Sequence, residues 1–202
     1  MDAWETDDFI GGKLCLDFAN TLELFDDGKI KDKIPNIDRF AGWLEFAQNL
    51  ESDDVRWSLS PKITEKTVAG AFPDIQRFRK SLYEVFHAQA DCQTPPQSAL
   101  SEIYASLARS TLGVEPMASN GPGEEVIITG AEGLVYPIAR SAVELLLNDS
   151  YCPVKECDAD DCHWVFLDSC KSKRRRWCDM KTCGNRAKAR RHYQGQKECR
   201  QC

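Results

Sequence analysis

Eight of the ten cysteines fall in the last 51 residues: Cys152, Cys157, Cys162, Cys170, Cys178, Cys183, Cys199 and Cys202. Cys157 and Cys162 are separated by four residues, as are Cys178 and Cys183, and fifteen residues lie between the pairs. Two thiolate pairs on a short intervening segment can close a tetrahedral zinc site. In a reducing compartment, clustered cysteines point to metal before disulfide. Spacing alone leaves alternatives. Cys152 stands five residues before Cys157 and could form the first pair with it, and His163 could substitute for Cys162. Cys199 and Cys202 could join Cys170 or Cys152 in a second site, or remain loose. Thiolates close to Arg and Lys are also reactive, so oxidation that expels the metal is a competing chemistry, with Cys170, Cys199 and Cys202 as resolving thiols.

Basic residues crowd the same region. Lys171, Lys173, Arg174, Arg175 and Arg176 precede Cys178; Arg186, Lys188, Arg190 and Arg191 follow Cys183. On a helix Arg186 and Arg190 lie at i,i+4 and Lys188 and Arg191 at i,i+3, giving two adjacent basic faces suited to phosphates or a groove. Arg174, Arg175, Arg176, Arg186, Lys188, Arg190 and Arg191 are therefore the candidate DNA contacts, with Asn185 bracing the helix start. The competing reading is that these cations offset the charge of four thiolates or dock the segment onto an acidic partner surface. Residues 169–202 hold 12 Lys+Arg against 2 Asp+Glu, net +10, whereas residues 1–168 hold 14 against 30, net −16.

Catalytic signals are weak. The three histidines, His87, His163 and His192, form no HExxH, and there is no GxxxxGK[ST] or GxGxxG. A four-cysteine zinc site has no open position for hydrolysis. Acidic pairs such as Asp53-Asp54 and Glu124-Glu125 are sequence neighbours that do not face one pocket. The expectation is a protein that is not an enzyme. Asp17, Asn20 and Thr21 follow an apolar run and either cap the next helix or line a ligand pocket.

These groups need elements to hold them. A chain of 202 residues with 29% charged residues, 42% hydrophobic residues and mean hydropathy −0.47 has a soluble globular composition. No run reaches the roughly 18 apolar residues of a membrane span. The opening MDAWETDDFIGG is acidic and lacks a signal-peptide pattern, which predicts the cytoplasm. Phe40, Trp43, Leu44, Ala47 and Leu50 recur at helical spacing after Asn36. Ser60-Pro61 predicts a helix start, and a further helix follows Pro73 with Ile75, Phe78, Leu82, Val85 and Phe86 on one face. Pro95-Pro96 and Pro137 open two more. Lys13–Phe18 alternates like a strand, and Val126–Ile128 with Leu134–Tyr136 reads as a hairpin. In the cysteine region, Trp164–Leu167 with a return over Lys173–Trp177 predicts a second hairpin, around a small core of Trp164, Phe166 and Trp177. The second cysteine pair then enters a helix, which is the plan of a treble clef.

Trp177-Cys178-Asp179-Met180-Lys181-Thr182-Cys183-Gly184-Asn185-Arg186-Ala187-Lys188-Ala189-Arg190-Arg191 resembles the signature of the CGNR zinc-finger family. Gly11-Gly12-Lys13-Leu14-Cys15-Leu16-Asp17-Phe18-Ala19-Asn20-Thr21-Leu22 is similar to the opening of the ABATE domain, which precedes such fingers. The resemblance implies a stress-linked transcription regulator, with zinc on Cys157, Cys162, Cys178 and Cys183. Cys170 and the Cys199/Cys202 tail depart from the family pattern.

The reading is an α+β chain. Residues 1–150 form a mainly helical sensor or regulatory domain with a minor β element, and 151–202 a small treble-clef-like finger holding one structural Zn²⁺. DNA is the expected partner, with a small-molecule inducer and a homodimer as further options and no membrane. The alternatives are a zinc-stabilised protein-interaction or redox-sensing module, and a catalytic first domain carrying a structural finger.

Overall fold

The computed structural model describes residues 3–25, 28–50, 55–118, 124–148 and 153–200. The chain is mixed helix and sheet. Its centre is a short helix, α1 (Leu14–Ala19), in which all six residues are buried. This is the segment whose alternation predicted a strand. Because every side chain of α1 is enclosed, the alternation of polar and apolar types carried no information about facing. Asp17 instead turns back to accept the Gly11 N–H at 2.7 Å, and the Ser141 hydroxyl accepts the Cys15 N–H at 3.2 Å. Gly12, with φ +85°, makes the turn into α1, a backbone region that disfavours a side chain.

After α1 come a two-strand hairpin, β1 (Leu22–Leu24) with β2 (Ile30–Asp32), and the helix expected after Asn36, α2 (Ile37–Gln48), whose start the Asn36 side chain caps. Phe18 of α1 meets Phe40 and Trp43 of α2, with ring centroids 5.7 and 4.9 Å away, and Phe78 at 6.3 Å. β3 (Val55–Leu59) follows.

The long helix α3 (Glu65–Ala90) continues through Pro73, so the expected break there is corrected. A proline inside a helix removes one hydrogen bond and crowds the preceding turn, at about 3 kcal/mol. Val68, Ala71 and Phe72 pack on the core before it and Ile75, Phe78, Leu82, Val85 and Phe86 after it, and burial on both sides outweighs that cost. Ser60-Pro61 does not start the helix either. The Ser60 N–H donates to the Ile128 carbonyl, and its own carbonyl and hydroxyl hold a turn ahead of Glu65.

α4 (Gln97–Ser110) leads through a 3₁₀ turn to β4 (Val114–Pro116) and β5 (Glu124–Ile128). The sheet order is β3-β5-β4, parallel between β3 and β5 (Trp57 opposite Val126) and antiparallel between β4 and β5 (Val114 opposite Ile128). The predicted pairing of 126–128 with 134–136 is therefore wrong. Residues Ala131–Val135 form a 3₁₀ turn, and Tyr136 begins α5 (Tyr136–Leu147). Gly113 and Gly133 explain the geometry: a Cβ on Gly133 would lie 2.1 Å from the Gly113 carbonyl oxygen, so two turns cross where only glycines fit.

β6 (Val154–Glu156) and β7 (Val165–Leu167) pair antiparallel, Val154 opposite Leu167. The partner of Trp164–Leu167 thus lies upstream, not at Lys173–Trp177. Val165 belongs to the main core, whereas Phe166 joins a second cluster with Trp164 and the four buried cysteines, and Trp177 packs beside it. A π-helical turn (Met180–Gly184) then opens α6 (Asn185–Arg200).

Candidate metal centre

Cys157 and Cys162 bracket a tight loop between β6 and β7. The Cys157 N–H donates to the Trp164 carbonyl and the Cys162 N–H to the Ala159 carbonyl, both at 2.9 Å. Cys178 ends the irregular segment after β7, and Cys183 sits in the π-helical turn, whose start is capped by Asp179 accepting the Thr182 N–H at 2.8 Å. Their four sulfur atoms lie within 4.8 Å of one another, all buried. Two of the separations are 3.7 Å (Cys162 to Cys178) and 3.5 Å (Cys178 to Cys183). A tetrahedron with Zn–S bonds of about 2.3 Å has edges of about 3.8 Å, whereas a disulfide needs about 2 Å. The cluster fits a single structural zinc ion. His163 stands outside it, bonded to Glu156 at 2.7 Å.

Four thiols this close cannot all ionise without a cation. Cys157 is driven far toward thiolate by hydrogen bonds from the Cys162 and Cys178 thiols, while sharing those protons holds Cys162 and Cys178 well above the usual range. A divalent cation removes that conflict, and two further donors meet the sulfurs. The Cys178 N–H points at Cys157 Sγ (3.4 Å) and Arg186 Nη2 at Cys183 Sγ (3.0 Å). Burial alone would lower the Arg186 guanidinium, but the Cys183 sulfur and Asp161 outweigh it and hold the charge.

The candidate DNA contacts separate into three groups. Arg175 is a strut: its guanidinium lies 4.3 Å over Phe166 and donates to the carbonyls of Trp177 (3.0 Å) and Cys178. Arg176, Arg186 and Arg190 face carboxylates of the loop between the first two cysteines. Arg176 meets Asp158 at 2.6 Å, Arg186 meets Asp161 at 3.5 Å, and Arg190 meets Asp160 at 3.1 Å and Asp161 at 2.8 Å. Arg174, Lys188 and Arg191 are exposed, and none makes an ion pair among the described residues. Asn185 braces the turn by donating to the Lys181 carbonyl at 2.9 Å.

Asp17, Asn20 and Thr21 are buried and their polar groups engage the protein itself. Asn20 Nδ2 donates to the Val165 carbonyl (2.9 Å) and Asn20 Oδ1 accepts the Val165 N–H (2.8 Å), clamping β7 to the end of α1. Thr21 donates to the Phe18 carbonyl and accepts from Arg79, which also forks onto Asp32. The Leu167 N–H adds a bond to the Gly11 carbonyl (2.8 Å). Desolvation pushes the Asp17 carboxyl up to about 8, against the bond from Gly11.

Two carboxylates went unnoticed in the sequence. Buried Asp168 gathers Lys155 Nζ (2.7 Å) and the N–H groups of Cys170 and Arg175 (3.1 Å each), organising the segment expected to be a strand. Burial alone would raise it, but Lys155 and these donors hold it below the usual range. Glu156 bridges His87 (3.2 Å) on α3 and His163 (2.7 Å). Both signals depend on contacts distant in sequence, beyond what spacing can show. Cys170 is exposed; Cys152 and Cys202, and the side chain of Cys199, lie outside the described residues.

Residues 154–196 match the model of the CGNR zinc finger. Residues 12–149 match that of ABATE, whose description reads "Putative stress-induced transcription regulator". No curated protein matches the chain.

Proposed function

The chain belongs to the ABATE family and carries a CGNR zinc finger, and on that premise we propose that it is a DNA-binding transcription regulator of the cytoplasm. In this reading residues 151–202 hold one Zn²⁺ and contact the duplex, and residues 1–150 sense a ligand or stress signal. One observation carries the DNA half. Helix α6 leaves the cysteine cluster at Asn185 and presents Lys188 and Arg191 to solvent, with Arg174 likewise exposed. Cations outside any ion pair are the ones free to replace the counterions of a phosphate backbone. Arg186 and Arg190 join them if their carboxylate partners yield to phosphates.

The pairing of Arg176, Arg186 and Arg190 with Asp158, Asp160 and Asp161 supports a second reading, a zinc-stabilised interaction module whose charges serve the finger itself. A closed four-thiolate site and the absence of a catalytic family among the matches support a regulator over an enzyme. The deciding experiment titrates binding to random duplex DNA against salt, with zinc measured on the same sample. Zinc near one per chain and affinity that falls steeply with salt support the regulator. Zinc near one with no binding at low salt supports the interaction module.

A further inference from the structure

Away from the metal centre, α3, α4 and the 3₁₀ turn Ala131–Val135 line an open cleft of about 380 Å³. Clefts that hold small organic ligands begin near this size. Its walls are apolar where it is deepest. Ile75 and Phe78, almost fully buried, are joined by Ala71 and Val135, and exposed Gly70 borders the opening, where a Cβ would meet nothing within 4 Å. The crossing of Gly113 and Gly133 holds the turn that forms the far wall.

Three charged residues line the cleft, and their partners decide its preference. Asp74 is neutralised by Arg77 at 2.5 Å. Arg109 is neutralised by Glu102 at 2.7 Å and tied to the Ser106 hydroxyl at 3.0 Å. Glu132 has no ion-pair or hydrogen-bond partner among the described residues. The lining therefore carries one uncompensated negative charge beside apolar and aromatic walls. A carboxylate ligand would add to that charge and a neutral hydrocarbon would leave it unanswered, whereas an ammonium group meets Glu132 and is also attracted to the face of a nearby ring.

We propose that this cleft binds a small organic amine, whose ammonium group pairs with Glu132 and whose apolar body lies against Ala71, Ile75 and Phe78. The proposal deepens the sensing half of the reading above and rests on it for its biological meaning. Helix α3 supplies one wall and, further along, holds Glu156 beside Cys157 through His87, so one rigid element touches both the cleft and the finger.

The test uses calorimetry on the zinc-loaded full chain with two probes of matched shape, 2-naphthylmethylammonium and 2-naphthylacetate. The amine binds and the carboxylate does not. Glu132→Gln weakens the amine about fivefold, as expected for one partly exposed ion pair. Gly70→Leu covers the opening, improves helix propensity and abolishes binding while the melting temperature holds or rises. Equal binding of the two probes, no binding of either, or undiminished amine binding by Gly70→Leu overturns the site. No DNA enters this measurement, so its failure leaves the DNA reading standing. Amine binding that leaves DNA affinity unchanged overturns the sensing role and leaves the site intact.

Discussion

Asn20 satisfies both backbone groups of Val165 with one amide, so its truncation strands a buried N–H and a buried carbonyl. Asn20→Ala is expected to cost about 3 kcal/mol in urea unfolding, with zinc content retained. A stability change within error would detach the residue from this structural role. Asp17 is tested by pH. Its carboxyl titrates near 8 in the fold against an ordinary value of 3.8. The folded chain thus keeps a proton that the unfolded chain releases, so the contribution is fully present below the ordinary value and lost as pH rises through 8. Asp17→Asn preserves an acceptor for the Gly11 N–H and removes the ionisation. Melting temperature relative to the parent should then rise steadily across this window. The comparison cancels thiol protonation at the metal centre, which both proteins share.

At the scale of elements, the acidic loop before Cys162 and a bound duplex would compete for the cations of α6. Replacing Asp160 and Asp161 by Asn frees Arg186 and Arg190, and DNA affinity should increase. With only Arg174, Lys188 and Arg191 engaged, the salt slope should be about −3; with Arg186 and Arg190 added it should approach about −4.5. An affinity unmoved by the double substitution means that α6 does not face the duplex. The irregular segment before Cys178 gives a complementary contrast. Arg175→Ala removes the guanidinium from Phe166 and two carbonyls and should destabilise the chain by about 2 kcal/mol. Arg174→Ala should leave stability unchanged and weaken DNA binding alone. The sequence pattern counted these neighbours as equivalent, because basic residues in a row do not reveal which one is turned inward.

For the whole molecule, the finger and the first 150 residues share structure at β7. Val165 lies in the main core, Asn20 and Gly11 bond to Val165 and Leu167, and Glu156 reaches His87. Chelation of zinc should therefore lower the melting temperature of the entire chain in one transition, followed by circular dichroism and by the fluorescence of a variant that keeps Trp43 of the main core as its single tryptophan. Two separate transitions, with the Trp43 signal unmoved by chelation, would show the finger melting alone. Local chemistry was readable from sequence wherever spacing along one segment suffices. The two cysteine pairs, the apolar stripe of α2 and the helix opened by Pro137 are of this kind, since each depends on residues within a turn or two of each other. Tertiary packing decided the rest. It made Lys13–Phe18 a buried helix, carried α3 through Pro73, paired β7 with β6 and turned Arg186 and Arg190 onto aspartates. In each case a contact distant in sequence, or burial on every side, outweighed the local preference, and neither is encoded in periodicity.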